Sequence, residues 1–227
     1  MSEVPDFIKE VFEQLKSEIT SLHARWKIYR QLFGHSDERI GLLNRCAPTF
    51  FFFIHEVLID EIQLSIGKLT DRARTGKNEN LSLKKLHEQI EELGDEVLSS
   101  TLSEILIDLC GEPNNPDKPG RCEVIRTRRH KRIAHFDLKT SIQPDTDPLP
   151  GVSRQMIEDV LALVRKYMNT IEGYYCQSEY RYHDPIIGPY DGEALVAVLE
   201  DGLEFRRLEI DSVKKRYGLS DEDLGDA

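Results

Sequence analysis

Residues 126–132 combine side chains that could bind and cleave a phosphodiester. The segment reads Arg126-Thr127-Arg128-Arg129-His130-Lys131-Arg132, which places five permanent cations in seven positions, and Ala134-His135 follows it. Arginine binds phosphate through two parallel hydrogen bonds, and histidine gains and loses a proton near neutral pH. Together they supply the charge stabilisation and the proton transfer that metal-free phosphodiester cleavage requires.

The rest of the chain is strongly acidic. The formal net charge is −11 at pH 7, so the residues outside 126–132 sum to −16. A chain of this charge repels polyanions at long range, whereas the basic segment attracts them. The alternative is a solvated cationic face, which is what a charge run usually indicates. The Ala134-His135 ending favours chemistry, because a solubilising face needs no histidine that titrates near neutrality.

The spacing within this segment bears on which arginine acts beside the histidine. On a helix, Arg128, Arg132 and His135 fall at positions i, i+4 and i+7, which lie on one face. Helical geometry therefore favours Arg128 as the arginine that acts beside His135. In that arrangement the arginine binds the phosphate and the histidine transfers the proton.

Helical periodicity dominates the sequence, and we predict an all-α fold, an elongated helical bundle with two long antiparallel helices. The predicted helices cover residues 6–33, 36–74 with a bend near Pro48, 82–94, 95–111, 121–135, 153–177 and 193–217. Clusters of glycine, proline and polar residues separate them. We predict a single domain at 1–217 and a frayed acidic tail at 218–227.

The most apolar stretch runs from residue 48 to residue 59. His55 and Glu56 interrupt it and Asp60 and Glu61 follow it, which is too much charge for a membrane span. We therefore predict a buried core helix. The four polar residues lack the second histidine one turn later that a zinc-protease helix requires, so the sequence predicts no metal and no cofactor.

Cysteines and the N-terminus bear on the compartment. The four cysteines are Cys46, Cys110, Cys122 and Cys176. They form no CxxC pair, which argues against a zinc ribbon and a secreted disulfide framework and predicts reduced, buried thiols. The acidic N-terminus does not resemble a secretory signal, so we expect a cytoplasmic protein without a membrane anchor.

An aromatic loop at residues 180–190 separates the last two predicted helices. Its Asp-Pro and Gly-Pro steps favour an ordinary capping loop. The alternative is that His183-Asp184 lies at the rim of a binding cleft or stacks on a base.

The segment Arg129-His130-Lys131-Arg132-Ile133-Ala134-His135-Phe136-Asp137 resembles the signature of the HEPN superfamily, an arginine, usually followed by a polar residue, and a histidine a short distance later. Five residues separate Arg129 from His135 here. The Ala-His-x-Asp ending is similar to the abortive-infection U-type (AbiU-like) branch of phage-defence and toxin-like loci. Residues 50–53, 66–71 and 80–83 resemble that branch's long second helix and its exit loop. The resemblance covers about residues 5–215.

The resemblance implies roles for individual residues. Arg129 would be the motif arginine, His130 the adjacent polar residue and His135 the motif histidine, with Lys131, Arg132 and Asp137 in support. Arg128 stays the alternative that helical geometry favours. Members that a partner nucleotidyltransferase modifies carry a tyrosine where this chain has Asp137, which disfavours that form of regulation.

The resemblance also implies a homodimer in which two basic helices share one cleft, which in active members is a metal-independent ribonuclease. We therefore expect an endoribonuclease of a toxin or phage-defence system that leaves 2',3'-cyclic phosphate and 5'-hydroxyl ends, with a cognate antitoxin protein as a further partner. The first alternative is a non-catalytic module that binds RNA or a nucleotide. The second is a structural dimer that binds an acidic protein.

Overall fold

The computed structural model describes residues 3–113, 115–134, 137 and 148–218. The fold is 72% helical with a single small β-hairpin in the described part, so the predicted all-α class is confirmed. The helices are α1 (Asp6–Phe33), α2 (Asp37–Cys46), α3 (Pro48–Leu69), α4 (Leu83–Glu92), α5 (Glu96–Cys110), α6 (Glu123–Arg128), α7 (Arg154–Cys176) and α8 (Gly192–Tyr217). A π-helical segment, Arg129–Ala134, continues α6.

Local capping explains where several helices begin. Ser36, Ser82 and Ser153 each accept a hydrogen bond from a backbone N–H three residues later, at the first turns of α2, α4 and α7. Asp191 accepts hydrogen bonds from the backbone N–H groups of Glu193 and Ala194 at the start of α8. These side chains satisfy donors that a helix start otherwise leaves unpaired.

The predicted second helix is interrupted. Ala47 separates α2 from α3, and Pro48 is the first residue of α3. Proline lacks a backbone N–H, so it fits the first turn of a helix better than the interior. The helix also ends at Leu69 rather than near residue 74, and β1 (Arg74–Thr75) pairs antiparallel with β2 (Asn78–Glu79) beyond it.

The chain forms two compact units. Unit 1 comprises the described parts of residues 1–26 and 57–186, and unit 2 those of residues 27–56 and 187–227. The single domain over residues 1–217 stays a prediction. Among the residues that the structure describes, no helix is long and apolar enough to cross a membrane.

Unit 1 has an apolar core to which α1, α4, α5 and α7 contribute, with α5 packed against both α4 and α7, and Ile62 and Ile66 of α3 and Ile125 of α6 are also fully buried. Fully buried members are Phe12, Leu15, Ile19 and Leu22 of α1, Leu83, Leu86 and Ile90 of α4, Leu102 and Leu109 of α5, and Val160, Val164 and Met168 of α7. Within this unit α1 and α3 run antiparallel, since Arg25 contacts Glu61 while Glu18 shares a cavity with Lys68. This core supports the end of α3 and the start of α6.

Unit 2 has a smaller core, made of Leu32, Leu42, Leu43, Phe51 and Val196. The apolar stretch at the start of α3 is not the buried helix that we predicted. Phe51 is buried, but Phe50, Phe52 and Phe53 are each more than half exposed. Within unit 2 the buried cluster reaches only the side of α3 that carries Phe51, so the neighbouring phenylalanines contact solvent.

Candidate functional site

The start of α6 is fixed against the end of α5. An isolated bridge joins Gly111 to Pro119, and a Cβ on Gly120 would collide with the backbone of Leu109 and Gly111. Cys122 donates its backbone N–H to the Leu109 carbonyl at 3.0 Å. A glycine at position 120 is therefore required for the close approach that positions the basic segment.

Two thiols lie at this junction. The interaction between the two thiols lowers the pKa of Cys110, and the same interaction together with burial raises the pKa of Cys122. Cys122 is fully buried, whereas Cys46, Cys110 and Cys176 are half-buried, and all four cysteines are free. The basic segment is anchored in the core of unit 1 by the buried side chains of Cys122 and Ile125.

The basic segment is not one regular α-helix. It is α-helical through Arg128 and π-helical from Arg129 to Ala134, and the N–H of Asp137 donates to the Lys131 carbonyl at 3.0 Å. A π-helix bonds residue i to i+5, so residues four apart no longer stack directly. The helix predicted for this segment is therefore present to Ala134, but only its part up to Arg128 is α-helical, and the common face predicted for Arg128 and Arg132 depends on α-helical spacing.

Arg129 is held by the end of α3. Its Nη2 donates to Asp71 Oδ2 in a charge-assisted hydrogen bond. Gly67 lies against the guanidinium, and a Cβ at position 67 would collide with Arg129 Nε. That Nε is buried and has no hydrogen-bond partner among the described residues. The guanidinium is thus fixed at one nitrogen and has a further donor unengaged.

A cavity of about 550 Å³ opens beside this ion pair. Its lining residues are Asp71, Arg72, Thr75, Glu123, Arg126, Thr127, Arg129, His130 and Lys131. Four of these are permanent cations and two are carboxylates, so the cavity is net positive in a chain of net charge −11. Such a concave cationic surface attracts phosphate groups.

The structure brings together three of the predicted site residues: Arg129, His130 and Lys131 line the cavity. Arg128 and Arg132 do not line it, and Asp137 is exposed outside it. His135 lies outside the described residues, so its pairing with either arginine stays a prediction.

Sequence reasoning did not single out Gly67 or Asp71. Both belong to residues 66–71, which carried part of the family resemblance, but nothing in their types assigned them to Arg129. They contact an arginine 58 positions further along the chain from Asp71. A glycine and an aspartate four residues apart at a helix end is too common a pattern to indicate such a contact.

Two other groups of residues considered in the sequence, the polar residues at 55–61 and the aromatic loop at 180–190, have contacts away from the basic segment. His55 Nε2 lies 3.1 Å from the Tyr29 hydroxyl, and the His55 ring packs edge-on against Phe33. The aromatic loop is anchored by Tyr182, which is fully buried, and by Tyr180, whose ring lies 4.6 Å from Lys16 Nζ. Neither group lines the cationic cavity.

Among the described residues, no group of three or more histidine, cysteine or acidic side chains could hold a metal ion.

Comparison with known proteins gives one match. The sequence model of the family HEPN_AbiU2, described as AbiU2, matches residues 6–186. Searches of curated proteins and of solved structures each returned no match. The matched residues include α1 to α7, the hairpin and the whole basic segment.

Proposed function

The chain belongs to the AbiU2 family of HEPN domains, and on that premise we propose that it is a metal-independent endoribonuclease of a toxin or phage-defence system. One observation carries the proposal: Arg129, with its guanidinium held by Asp71 and Gly67, lines a cationic cavity. An arginine fixed in advance stabilises developing charge without reorganising during the reaction.

In the proposed reaction, the ribose 2'-hydroxyl attacks the adjacent phosphorus and the 5'-oxygen leaves. His135 removes the proton from the hydroxyl or protonates the leaving oxygen. The positive charge of Arg129 stabilises the pentacovalent phosphate, and Lys131 neutralises a neighbouring phosphate. The products are a 2',3'-cyclic phosphate and a 5'-hydroxyl.

This reaction uses both an acid and a base, whereas the motif supplies one histidine in each chain. We therefore propose a homodimer in which the His135 of a second copy provides the other group. His130 lines the cavity of the same chain and is the competing source of a second proton-transfer group. A cognate antitoxin is the further proposed partner.

The decisive experiment compares four single variants in cleavage of a labelled RNA in the presence of EDTA. His135→Ala should abolish cleavage, since general acid–base catalysis contributes about 10²- to 10⁴-fold and a dimer loses both histidines. Arg129→Ala should impair cleavage and RNA binding, because its charge acts before and during the reaction. The neighbouring Arg128→Ala is the matched control and should retain cleavage. His130→Ala should retain most of it.

Three results of this experiment would change the proposed mechanism. Cleavage that is lost in EDTA and kept by His135→Ala would show that the site is elsewhere. Loss of cleavage in Arg128→Ala but not in Arg129→Ala would exchange the roles of the two arginines. Loss in His130→Ala alone would remove His135 from the mechanism.

A second candidate function is a non-catalytic module that binds RNA or a nucleotide. The observation that favours it is the size of the cavity, about 550 Å³ within one chain, which is in the range of small-molecule sites. This alternative replaces the enzyme if wild-type protein cleaves no RNA and His135→Ala binds RNA as tightly as wild type does.

A further inference from the structure

The second half of α8 leaves the core of unit 2. Val196 is buried, and Leu199 and Leu203 pack against the buried cluster. From Glu204 to Tyr217 every residue is exposed except Lys214, which is half-buried. A helical segment of this length is only marginally stable in water without packing partners. A second surface that covers this half of α8 would therefore stabilise it, and the described part of one chain does not provide one.

The apolar residues of α8 continue past the core with an unchanged spacing. The positions of the repeat are Val196, Leu199, Leu203, Arg206, Ile210, Val213 and Tyr217, alternately three and four residues apart. This is the a/d pattern of a coiled coil, with one arginine among six apolar residues. Ile210, Val213 and Tyr217 are 41%, 43% and 68% exposed. The apolar stripe packs on the core of unit 2 in the first half of α8. In the second half the same stripe is exposed and can pack against a second helix.

The charges of α8 indicate which helix would fit. Acidic residues lie at the start of the exposed segment and just before it, at Glu200, Asp201 and Glu204, and basic residues lie near its end, at Lys215 and Arg216. Two parallel copies would place like charges side by side and Arg206 against Arg206. Two antiparallel copies would place the acidic end of each beside the basic end of the other. An antiparallel pair centred on position 208 also sets Leu203 opposite Val213 and Arg206 opposite Ile210.

We propose that residues 203–217 of α8 form an antiparallel helix pair with the same segment of a second copy of this chain. The segment lies outside residues 6–186, which match the family. The pairing therefore does not rest on the family match or on the proposed ribonuclease activity.

Sedimentation equilibrium of the full chain tests the pairing. Val213→Glu places a charge in the stripe and should raise the dissociation constant of the assembly at least tenfold. Leu208→Glu is the matched control, because Leu208 is similarly exposed (55%) on the opposite side of the same helix, and it should leave the constant unchanged. Circular dichroism checks that both variants keep the fold, as expected for exposed positions.

Two results would overturn the pairing. One is a wild-type chain that stays monomeric at about 50 µM. The other is an assembly with the same dissociation constant in wild type and in Val213→Glu, which would leave the shared-cleft dimer of the proposed function as the only interface.

Disulfide trapping tests the orientation. Oxidation of a mixture of Leu203→Cys and Val213→Cys chains should link position 203 to position 213, which mass spectrometry of the peptides distinguishes from links through native cysteines. Val213→Cys alone should not link to itself, because in the antiparallel pair its two copies are ten residues, about 15 Å, apart along the axis. Efficient self-linking of Val213→Cys would show a parallel pair and overturn the antiparallel proposal.

Discussion

Gly67 lies directly against the guanidinium of Arg129, at a point where any side chain on α3 would collide with Arg129 Nε. Asp71, one helical turn further, binds Nη2 of the same guanidinium. Gly67 lies in α3 and Asp71 in the turn after it, so Gly67 leaves room for the arginine side chain and Asp71 pairs with its charge. The position of Arg129 is therefore set by two residues outside the basic segment.

We predict that Gly67→Ala lowers the cleavage rate by about 10- to 100-fold without destabilising the fold. The added Cβ displaces the guanidinium, and a misplacement of about 1 Å can reduce a rate about 10²-fold. Alanine also favours a helix over glycine by about 1 kcal/mol. Gly41→Ala in α2 is the control, since its Cβ would make only an ordinary 3.5 Å contact with Arg45. Turnover and thermal midpoints of both variants decide the matter, and a Gly67→Ala enzyme with wild-type turnover contradicts the prediction.

We predict that Asp71→Asn lowers kcat about tenfold and does not weaken RNA binding. The variant removes the charge that orients Arg129 and also removes a negative charge from the cavity. If Asp71 positions Arg129, kcat should therefore fall while the dissociation constant for RNA stays unchanged or becomes smaller. Glu104→Gln, an exposed carboxylate on α5, is the control for charge alone. Weaker binding with unchanged kcat would show that Asp71 does not act through Arg129.

The helices with strong local signals could be predicted from the sequence. Gly34 follows α1, and Ser153 caps α7, so both helices have the predicted bounds to within a residue. The exposure of Phe50, Phe52 and Phe53 could not be predicted, because apolar content does not reveal how many sides of a helix its neighbours cover.

The site was predictable only in part. The cations of residues 126–132 and the histidine that follows identify the segment, but they do not reveal which cations share a cavity. That depends on the π-helical segment, whose wider turn follows from backbone hydrogen bonding rather than from side-chain type. Gly67 and Asp71 reach Arg129 only through the packing of α3 beside the basic segment, which no local pattern encodes.

We predict that RNA binding depends steeply on salt and that Lys131 contributes one contact. Each phosphate contact to single-stranded RNA contributes about 0.7 to the slope of log affinity against log salt. Lys131 lines the cavity, so Lys131→Ala should reduce the slope by about that amount. Lys166→Ala, at an exposed position on α7, should leave the slope unchanged. Equal slopes for wild type and Lys131→Ala would exclude a phosphate contact by this lysine.

His23 is a buried histidine whose neighbours favour its neutral form. Its Nδ1–H donates to the Ile19 carbonyl at 2.8 Å, and its Nε2 accepts from Arg165 Nη1 at 3.2 Å. Its pKa is lowered from 6.5 to about 4, chiefly by burial and also by the positive charge of Arg165, whereas the hydrogen bond to the Ile19 carbonyl and the charge of Glu158 oppose the shift. A proton on Nε2 would face the guanidinium at close range, so protonation disfavours the folded state.

We predict that His23 reduces the stability of the fold at acid pH. Because its pKa is about 4 in the folded chain and 6.5 in the unfolded chain, the unfolded chain binds the extra proton first. The free energy of unfolding therefore falls as pH drops from about 6.5 to 4 and levels off below that, by about 3 kcal/mol in total. Carboxylates titrate in part of this range, so the measurement is the difference between urea unfolding of wild type and of His23→Gln at pH 7, 6, 5 and 4. That difference should shrink as pH falls, whereas His35→Gln, at an exposed histidine, should follow wild type. A constant difference across the range would show that His23 takes up its proton without unfolding the chain.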